Sequence, residues 1–399
     1  MRYDLVFEGG GAKGMAFVGA ISQLLNAGHS FNRLLGTSAG AITATLLAAG
    51  YGPDEMAAAM NEKIAGKSVF AGFMGQPEDF TSAEIDASAT LRLLQNIDIT
   101  ILPKFLEEQM DRKVTEALAR GEKSRHLVAL IERGGWFAAA RFVVWLQARL
   151  DTGKGPDGTA RAYSLLTLKQ FFEKTSVDLS MVVSDTTDHK LLVLNHRTAP
   201  DCPVVFAVRM SMSIPLVWDE VRWRAEWGKY RGRDVSGHVF VDGGLLSNFP
   251  LELFISDAPE VTNLMGPKQA DPVLGLLIDE NIEMPVTTRG FLVSSTVRPA
   301  DLVIVQRIER LVDTATGAHD NRVIEEHGDL IVRLPAKGYG TTEFDMDEAR
   351  RGDLVEAARR AMERWLATAP RSAGGFGFTP VRNQKATAVA IGILSQDTP

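Results

Sequence analysis

The segment Gly-Thr-Ser-Ala-Gly at residues 36–40 constrains the fold more than any other part of this chain. It lies between a short apolar run, residues 31–35, and an apolar stretch of helical spacing, residues 41–49. A serine on a tight strand-to-helix turn requires small neighbours, because larger side chains would collide with the adjoining backbone. The turn also places the hydroxyl at a helix amino terminus, where the dipole favours an oxyanion. The pattern therefore predicts a strand–turn–helix unit with Ser38 as a candidate nucleophile, flanked by Gly36 and Gly40.

A glycine-rich loop precedes this turn. Residues 9–14 read Gly-Gly-Gly-Ala-Lys-Gly, after an apolar run at residues 3–7 and before a helical pattern at residues 15–27. Glycine backbone can aim several N–H groups at one point, as an oxyanion hole requires. The loop is therefore predicted to bind an oxyanion through its glycines, which are Gly9, Gly10, Gly11 and Gly14.

The same loop also fits the dinucleotide-binding pattern G-x-G-x-x-G. That function requires an acidic residue for the ribose roughly 20 residues further on. No Asp or Glu occurs between Gly9 and Pro53, although Arg33 could face a 2′-phosphate. Lys13 is followed by glycine rather than Ser or Thr, which excludes a Walker A loop. The oxyanion interpretation is favoured.

A third motif, Asp242-Gly243-Gly244, ends an apolar run at residues 239–241. An acidic residue at the end of a strand in an open sheet lies where ligands bind. The paired glycines permit another backbone to approach closely. Taken alone, Asp-Gly is also a common turn signal.

Strand and helix patterns alternate in the first fifty residues and strand patterns return after residue 175. This arrangement predicts one α/β domain over residues 1–370, with a mostly parallel central sheet, helices on both faces and a helical insertion at about 54–175. A last amphipathic helix is predicted at 343–367, and residues 371–399 form a tail of unassigned order. The later predicted strands are 180–184, 191–194, 204–208, 239–242, 273–278 and 329–334.

Composition and charge limit the binding partners and the cellular location that we expect. A net charge of −7 argues against a general nucleic-acid-binding surface. The single cysteine, Cys202, cannot form an intramolecular disulfide, which favours a reducing compartment. The start of the chain lacks a signal-peptide pattern, and no run of 18 uncharged apolar residues occurs. We therefore expect a cytoplasmic protein that can associate peripherally with membranes.

The three motifs in this order resemble the patatin-like phospholipases. Asn248 and Pro250 extend the Asp-Gly-Gly block as that family does, and residues 211–215 with Trp218 are similar to the segment that precedes it. Residues 338–345 also resemble a late segment of bacterial members. The resemblance implies a three-layer patatin-like sandwich and no metal or cofactor.

The resemblance also implies a chemistry. Ser38 would attack an ester carbonyl of a phospholipid, Asp242 would take its proton, and the Gly10 and Gly11 N–H groups would bind the oxyanion, with Gly243 and Gly244 supporting the motif. Because an aspartate near pKa 3.9 is a weak base, Asp242 must be partly desolvated. Lys13 would position the loop.

Several alternatives stay open. A Ser–acid–His triad could use His319 or His327 after Asp242 or Asp279. The substrate could instead be a soluble ester or thioester, or the chain could be a regulated lipid-binding module. Residues 185–189, rich in Asp and His, are interpreted as a polar turn rather than a metal site.

The apolar, arginine-spaced segment at residues 133–149 permits two interpretations. It suits an interfacial helix on anionic headgroups, with Trp145 inserted in the membrane. It also suits a buried helix of the insertion whose arginines extend to solvent. The sequence predicts a possible peripheral membrane contact here, with burial as the favoured alternative.

Overall fold

A computed structural model of the chain describes residues 1–95, 104–121, 124–268, 271–285, 307, 324–341, 343–368 and 380–394. The strands are β1 Arg2–Phe7, β2 Ser30–Gly36, β3 Lys63–Ile64, β4 Lys67–Ser68, β5 Gly135–Phe137, β6 Asp178–Asp185, β7 Lys190–Leu194, β8 Leu216–Trp218, β9 Val221–Arg222, β10 Val239–Asp242, β11 Val273–Asp279 and β12 Ile331–Pro335. The helices of the first half are α1 Ala16–Asn26, α2 Ala39–Ala48, α3 Pro53–Met60, α4 Val69–Phe73, α5 Ser82–Asp86, α6 Ala89–Gln95, α7 Lys104–Arg120, α8 Ser124–Arg133, α9 Ala140–Leu150 and α10 Leu168–Thr175. Those of the second half are α11 Val204–Ser211, α12 Glu252–Ile255, α13 Pro259–Met265, α14 Glu348–Thr368 and α15 Pro380–Leu394.

One eight-stranded, mostly parallel sheet forms the centre of the fold. Its order is β12-β11-β1-β2-β6-β10-β9, and β7 pairs with β6. Strands β12 to β6 run parallel, whereas β7, β9 and β10 are antiparallel to their neighbours. Every residue of β11 is buried, and since successive side chains point to opposite faces, both faces of the sheet are covered. The predicted α/β class with a mostly parallel, doubly covered sheet is confirmed.

The sheet brings two strand ends together. Gly36 of β2 pairs with Met181 of β6, and Asp242 of β10 pairs with Val183 two residues further on. Because β7 occupies the other edge of β6 over the same residues, β2 and β10 share one edge and approach end to end. The turn after β2 and the end of β10 therefore meet at the carboxyl edge of the parallel strands.

One predicted strand is wrong. Residues 204–208 lie in α11, which begins after Pro203 and whose first turn is closed by the Ala207 N–H donating to the Pro203 carbonyl at 3.0 Å. A continuous apolar run fits a buried helix as well as a buried strand, and α11 packs against β6, β10, α2 and α9. Tertiary packing decided between the two.

The carboxyl-terminal part is more helical than predicted. The last amphipathic helix begins at Glu348, five residues later than expected, and packs along α1. Within the unassigned tail, residues 380–394 form α15. This helix packs on α12 and α13, with the Asn383 amide accepting the Asp257 N–H at 3.0 Å.

The insertion is largely helical, as predicted, but its aromatic helix faces inward. Phe142 and Trp145 of α9 are buried, and the Trp145 indole N–H donates to Glu62 at 3.0 Å. These side chains cannot be inserted in a membrane without unpacking α9, so for Trp145 the structure agrees with the favoured interpretation, a buried helix, and not with the interfacial one. Within the described ranges, no helix combines the length and hydropathy that a membrane span needs.

A buried ion pair joins β1 and β2 at their beginning. The Arg33 Nε donates to Asp4 Oδ2 at 2.8 Å, and the Arg33 backbone N–H donates to Oδ1 at 3.1 Å. Asp4 is fully buried and Arg33 is 3% exposed, with the guanidinium over the ring of Phe254. This pairing makes Arg33 structural and removes it as a partner for a 2′-phosphate.

Replacing Arg33 by Met should leave the Asp4 carboxylate buried without its counter-charge. We expect a loss of about 3–5 kcal/mol in the free energy of unfolding, measured by urea denaturation. The double variant Asp4→Asn/Arg33→Met should recover most of the loss, because the uncompensated charge is gone. A single variant that unfolds at the wild-type urea midpoint would contradict this assignment.

Candidate active site

Ser38 occupies a strained backbone position. Its φ of 52° and ψ of −119° lie where non-glycine residues rarely occur, at a cost of about 1–3 kcal/mol. The residue is the N-cap of α2 and is 7% exposed. Strain of this kind at a strand-to-helix turn is the geometry of a nucleophile elbow, which presents the hydroxyl to a ligand.

The predicted glycines are all sites of close approach. The backbone cases are clear: a Cβ on Gly40 would lie 2.5 Å from the Phe7 carbonyl, and one on Gly243 would lie 2.4 Å from the Val182 carbonyl. A Cβ would come within 2.9 Å of another atom at each of the eight, which are Gly9, Gly10, Gly11, Gly14, Gly36, Gly40, Gly243 and Gly244. These contacts allow the elbow, the glycine-rich loop and the Asp242 turn to pack together.

Asp242 is a buried carboxylate next to Ser38. Burial raises its pKa to about 7, against the lowering effects of hydrogen bonds from the Ser38 hydroxyl and the Gly244 N–H. The Gly244 N–H donates to Oδ1 at 2.8 Å. Among the described residues, Oδ2 has no partner of good hydrogen-bond geometry, so this oxygen is available to the Ser38 hydroxyl. Catalytic hydrogen bonds are often loose before substrate binds.

Two serines that sequence reasoning left without a role hold these groups in place. The Ser211 hydroxyl accepts the Ser38 N–H at 3.1 Å and donates to the Val182 carbonyl at 2.7 Å. The Ser213 carbonyl accepts the Asp242 N–H at 2.8 Å. Both belong to the segment 211–215 that carried the family resemblance, and this resemblance was the only signal for them.

The glycine-rich loop has two uncommitted N–H groups. The Gly9 N–H donates to the Asn248 carbonyl at 3.1 Å and the Ala12 N–H to the Thr341 carbonyl at 2.9 Å. Within the described ranges, neither the Gly10 nor the Gly11 N–H donates a hydrogen bond. Gly11 has a φ of 53°, a conformation that glycine adopts without strain. The loop therefore keeps two adjacent donors for an anion.

A polar network under this loop was missed at the sequence level. The Asn248 amide donates to Glu8 at 3.3 Å and to the Gly9 carbonyl at 3.1 Å. The other Glu8 oxygen accepts the Ile278 N–H at 2.6 Å. Glu8 thereby joins β1, β11 and the Asp242 loop. In the sequence, the only indication of this role is that Glu8 is an acidic residue directly after a buried strand.

Lys13 also anchors the loop. Its side chain is 5% exposed, and its ammonium pairs with the Glu280 carboxylate just after β11. This contact fits the predicted positioning role of Lys13. Cys202 is fully buried, and burial raises the pKa of its thiol, so it behaves as a core residue.

The histidine alternatives lose support. His319 lies outside the described residues. His327 is buried just before β12, whereas Ser38 follows the carboxyl end of β2. In the sheet order β12 lies three strands from β2, and a spacing of about 4.8 Å between neighbouring strands separates these two strands by about 14 Å. Asp279, the alternative acid, pairs with Arg333.

Two acidic residues of the turn at residues 185–189 form a group with metal-ligand chemistry together with His238. Atoms of Asp185, Asp188 and His238 lie within 4.8 Å of one another. The groups already bond to neighbours: His238 Nδ1 contacts Asp185 at 2.8 Å, and Arg233 pairs with Asp188. The Asp185 carboxylate also accepts the Thr187 N–H at 2.9 Å, which is the geometry of a polar turn.

Comparison with known proteins gives a family and several relatives. The patatin-like phospholipase family matches residues 5–255, more than half of the chain. The uncharacterized protein YqhO of Bacillus subtilis is 27% identical over 374 residues, which cover 92% of this chain and 98% of YqhO. The probable lipid hydrolase 463L of Invertebrate iridescent virus 6 is 24% identical over 90 residues, 23% of this chain and 27% of that protein. Among solved structures, VipD from Legionella pneumophila has 19% identity and a TM-score of 0.44, with 92% of this chain and 67% of VipD covered.

Replacing Asp242 by Asn should stabilise the fold in alkaline solution. The folded carboxyl keeps its proton up to about pH 7, whereas an unfolded one loses it near 3.8, so the wild type loses stability as pH rises through this window. The advantage of Asp242→Asn in the free energy of unfolding should grow from near zero at pH 4 to at most about 4 kcal/mol above pH 8. Urea unfolding at several pH values measures it, and equal stability throughout would contradict the raised pKa.

Proposed function

The chain belongs to the patatin-like phospholipase family, and on that premise we propose that it is a phospholipase A-type acyl hydrolase with a Ser38–Asp242 dyad. The family and the match to a probable lipid hydrolase support a hydrolase that acts on lipids. The assignment of the phospholipase A type and of the dyad depends on the geometry of the site. The bond that the enzyme would cleave is the carboxylic ester that joins a fatty acid to the glycerol of a phospholipid.

In the first half-reaction, the Ser38 oxygen attacks the ester carbonyl carbon while its proton moves to Asp242. The carbonyl oxygen becomes an oxyanion, and the Gly10 and Gly11 N–H groups donate to it. One such donor is typically worth about 10²–10³ in rate. The tetrahedral intermediate then collapses: the bond to the glycerol oxygen breaks, Asp242 returns the proton to that oxygen, and the lysophospholipid leaves an acyl-Ser38.

In the second half-reaction, water repeats the attack. Asp242 takes a proton from the water as its oxygen bonds to the acyl carbon, and the same N–H groups bind the new oxyanion. Collapse breaks the bond to the Ser38 oxygen, which regains the proton from Asp242. The fatty acid is released and the site is restored without a metal or cofactor in any step.

The observation that carries this proposal is the environment of Asp242. A buried carboxylate with a pKa of about 7 lies beside the Ser38 hydroxyl, with one oxygen left without another partner among the described residues. A base works best when its pKa is near the working pH, because it is then both ionised and able to accept a proton. An ordinary aspartate would be ionised but too weak.

We also propose a single catalytic domain that extends beyond the family match. The sheet continues through β11 and β12, and α14 packs along α1. The glycine-rich loop itself bonds to the Thr341 carbonyl. These contacts support the predicted domain of residues 1–370 with an insertion at about 54–175.

A fluorophosphonate probe should label the wild-type chain at Ser38 and leave Ser38→Ala unlabelled. Asp242→Asn should lower the labelling rate about 10²–10⁴-fold, the usual worth of a positioned base. His327→Ala should label at the wild-type rate.

Mass analysis of phosphatidylcholine digests should find fatty acid and lysophospholipid. Labelling that persists in Ser38→Ala would overturn the nucleophile, and cleavage confined to soluble esters or thioesters would overturn the lipid substrate.

The pH dependence should report Asp242. Because the base must be ionised, kcat/KM for a soluble ester should fall as pH drops through about 7. The residual activity of Asp242→Asn should lack this acid limb. Initial rates between pH 4 and 9 measure it, and a wild-type limb near pH 4 would show that the base is not a desolvated aspartate.

A further inference from the structure

Exposed apolar side chains are concentrated on three helices of the insertion. Eight large hydrophobic residues are exposed among the described residues, and five of them lie on α6, α7 and α8. We call the following set the outer face: the apolar residues Leu93, Val114, Leu118, Leu127 and Ile131, and the basic residues Arg92, Lys113 and Arg120. Leu127 and Ile131 are each 52% exposed, which places them well outside the core.

The apolar part of the outer face follows helical spacing. Val114 and Leu118 are four residues apart on α7, and Leu127 and Ile131 are four apart on α8, so each pair forms a stripe. The three helices also contact one another, and on their other sides Ala119 of α7 and Val128 of α8 make a small core with Ile85 of α5. The exposed stripes are therefore a second apolar side, which these helices do not need for their own packing.

The charges of the outer face have one sign. Among the residues of these helices whose side chains the structure describes (89–93, 111–120 and 124–133), no Asp or Glu is exposed, although the whole chain carries a net charge of −7. The two partly exposed acids are engaged: Glu116 pairs with Arg112 at 3.3 Å and with Arg120 at 3.8 Å, and Glu132 accepts the Thr90 N–H at 2.7 Å. Lys113 and Arg120 therefore flank the apolar stripe on α7 without exposed acids between them.

A short path of contacts connects this face to the active site. Helix α8 packs on β5, and Gly135 of β5 pairs with Leu216 of β8. Leu216 is another exposed apolar residue, 41% accessible, with a strained φ of 65°. Three residues before it, the Ser213 carbonyl accepts the Asp242 N–H. These contacts thus connect α8, through β5 and β8, to the segment whose Ser213 carbonyl binds the candidate base.

We propose that the outer face docks on an anionic lipid bilayer and brings the site to its substrate. Apolar side chains flanked by Lys and Arg bind the interface through apolar burial and attraction to anionic headgroups. A second copy of the chain fits less well, because a two-fold contact would place cations against cations. The inference rests on the proposed lipid hydrolase and moves the membrane contact from residues 133–149 to α6–α8.

Vesicle sedimentation tests the surface separately from catalysis. The probes are vesicles of phosphatidylcholine alone and of an equimolar mixture with phosphatidylglycerol, and every chain carries Ser38→Ala so that no lipid is consumed. Leu127→Glu and Ile131→Glu should each weaken binding to the mixed vesicles about tenfold or more. Lys113→Gln should weaken it about fivefold, with little change on phosphatidylcholine alone.

Leu165→Glu is the matched control, because Leu165 is 83% exposed and lies outside the outer face. It should bind vesicles as the parent does. With Ser38 restored, all four variants should hydrolyse a soluble ester at the wild-type rate, which separates lost docking from misfolding.

Wild-type vesicle binding by Leu127→Glu and Ile131→Glu would overturn the proposal, as would an equal loss in Leu165→Glu. A dimer that dissociates in Leu127→Glu while vesicle binding persists would overturn it in favour of a second copy. Failure of fluorophosphonate labelling would instead refute the proposed function and leave the binding result unaffected.

Discussion

Two strands that meet end to end along one edge of β6 make the site possible. β2 arrives parallel and stops at Gly36, and β10 arrives from the opposite direction and stops at Asp242. The two loops that leave these ends are forced into the same small volume. There the Ser38 turn and Asp242 are bound to the same neighbouring segment, through Ser211 and the Ser213 carbonyl. Without this shared edge, residues about 200 apart in sequence would have no reason to touch.

This arrangement lowers the stability of the fold at two residues, Ser38 and Asp242. Ser38 has a backbone conformation that side-chain-bearing residues avoid, and Asp242 is a carboxylate removed from water. Both features lower stability, and both suit a nucleophile and its base. The surrounding structure offsets them through dense packing of glycine backbone and through the Glu8–Asn248 network, which joins three segments below the loop. The ion pair of Asp4 and Arg33 ties β1 to β2 at the far end.

Much of the fold was predictable because local signals were strong. The strands around Tyr3 and Phe240 are short apolar runs bounded by glycine or polar residues, a pattern that is typical of buried strands. Residues 204–208 had the same appearance and proved helical, since an apolar run carries no period when every side is buried. Trp145 was left between two interpretations for a related reason: an apolar helix with arginines suits an interface or a core, and only its neighbours reveal which.

The sequence by itself determined the turn types, the candidate nucleophile and the glycines, because these depend on local sterics within a few residues. It also determined the order of motifs that shows the family. Only the tertiary structure decided what each motif touches: that Asp242 is buried enough for a pKa of about 7, that Gly10 and Gly11 keep their N–H groups uncommitted among the described residues, and that Ser211 binds the Ser38 backbone. Desolvation and hydrogen-bond occupancy depend on atoms from distant segments, and no local pattern records which segments will meet.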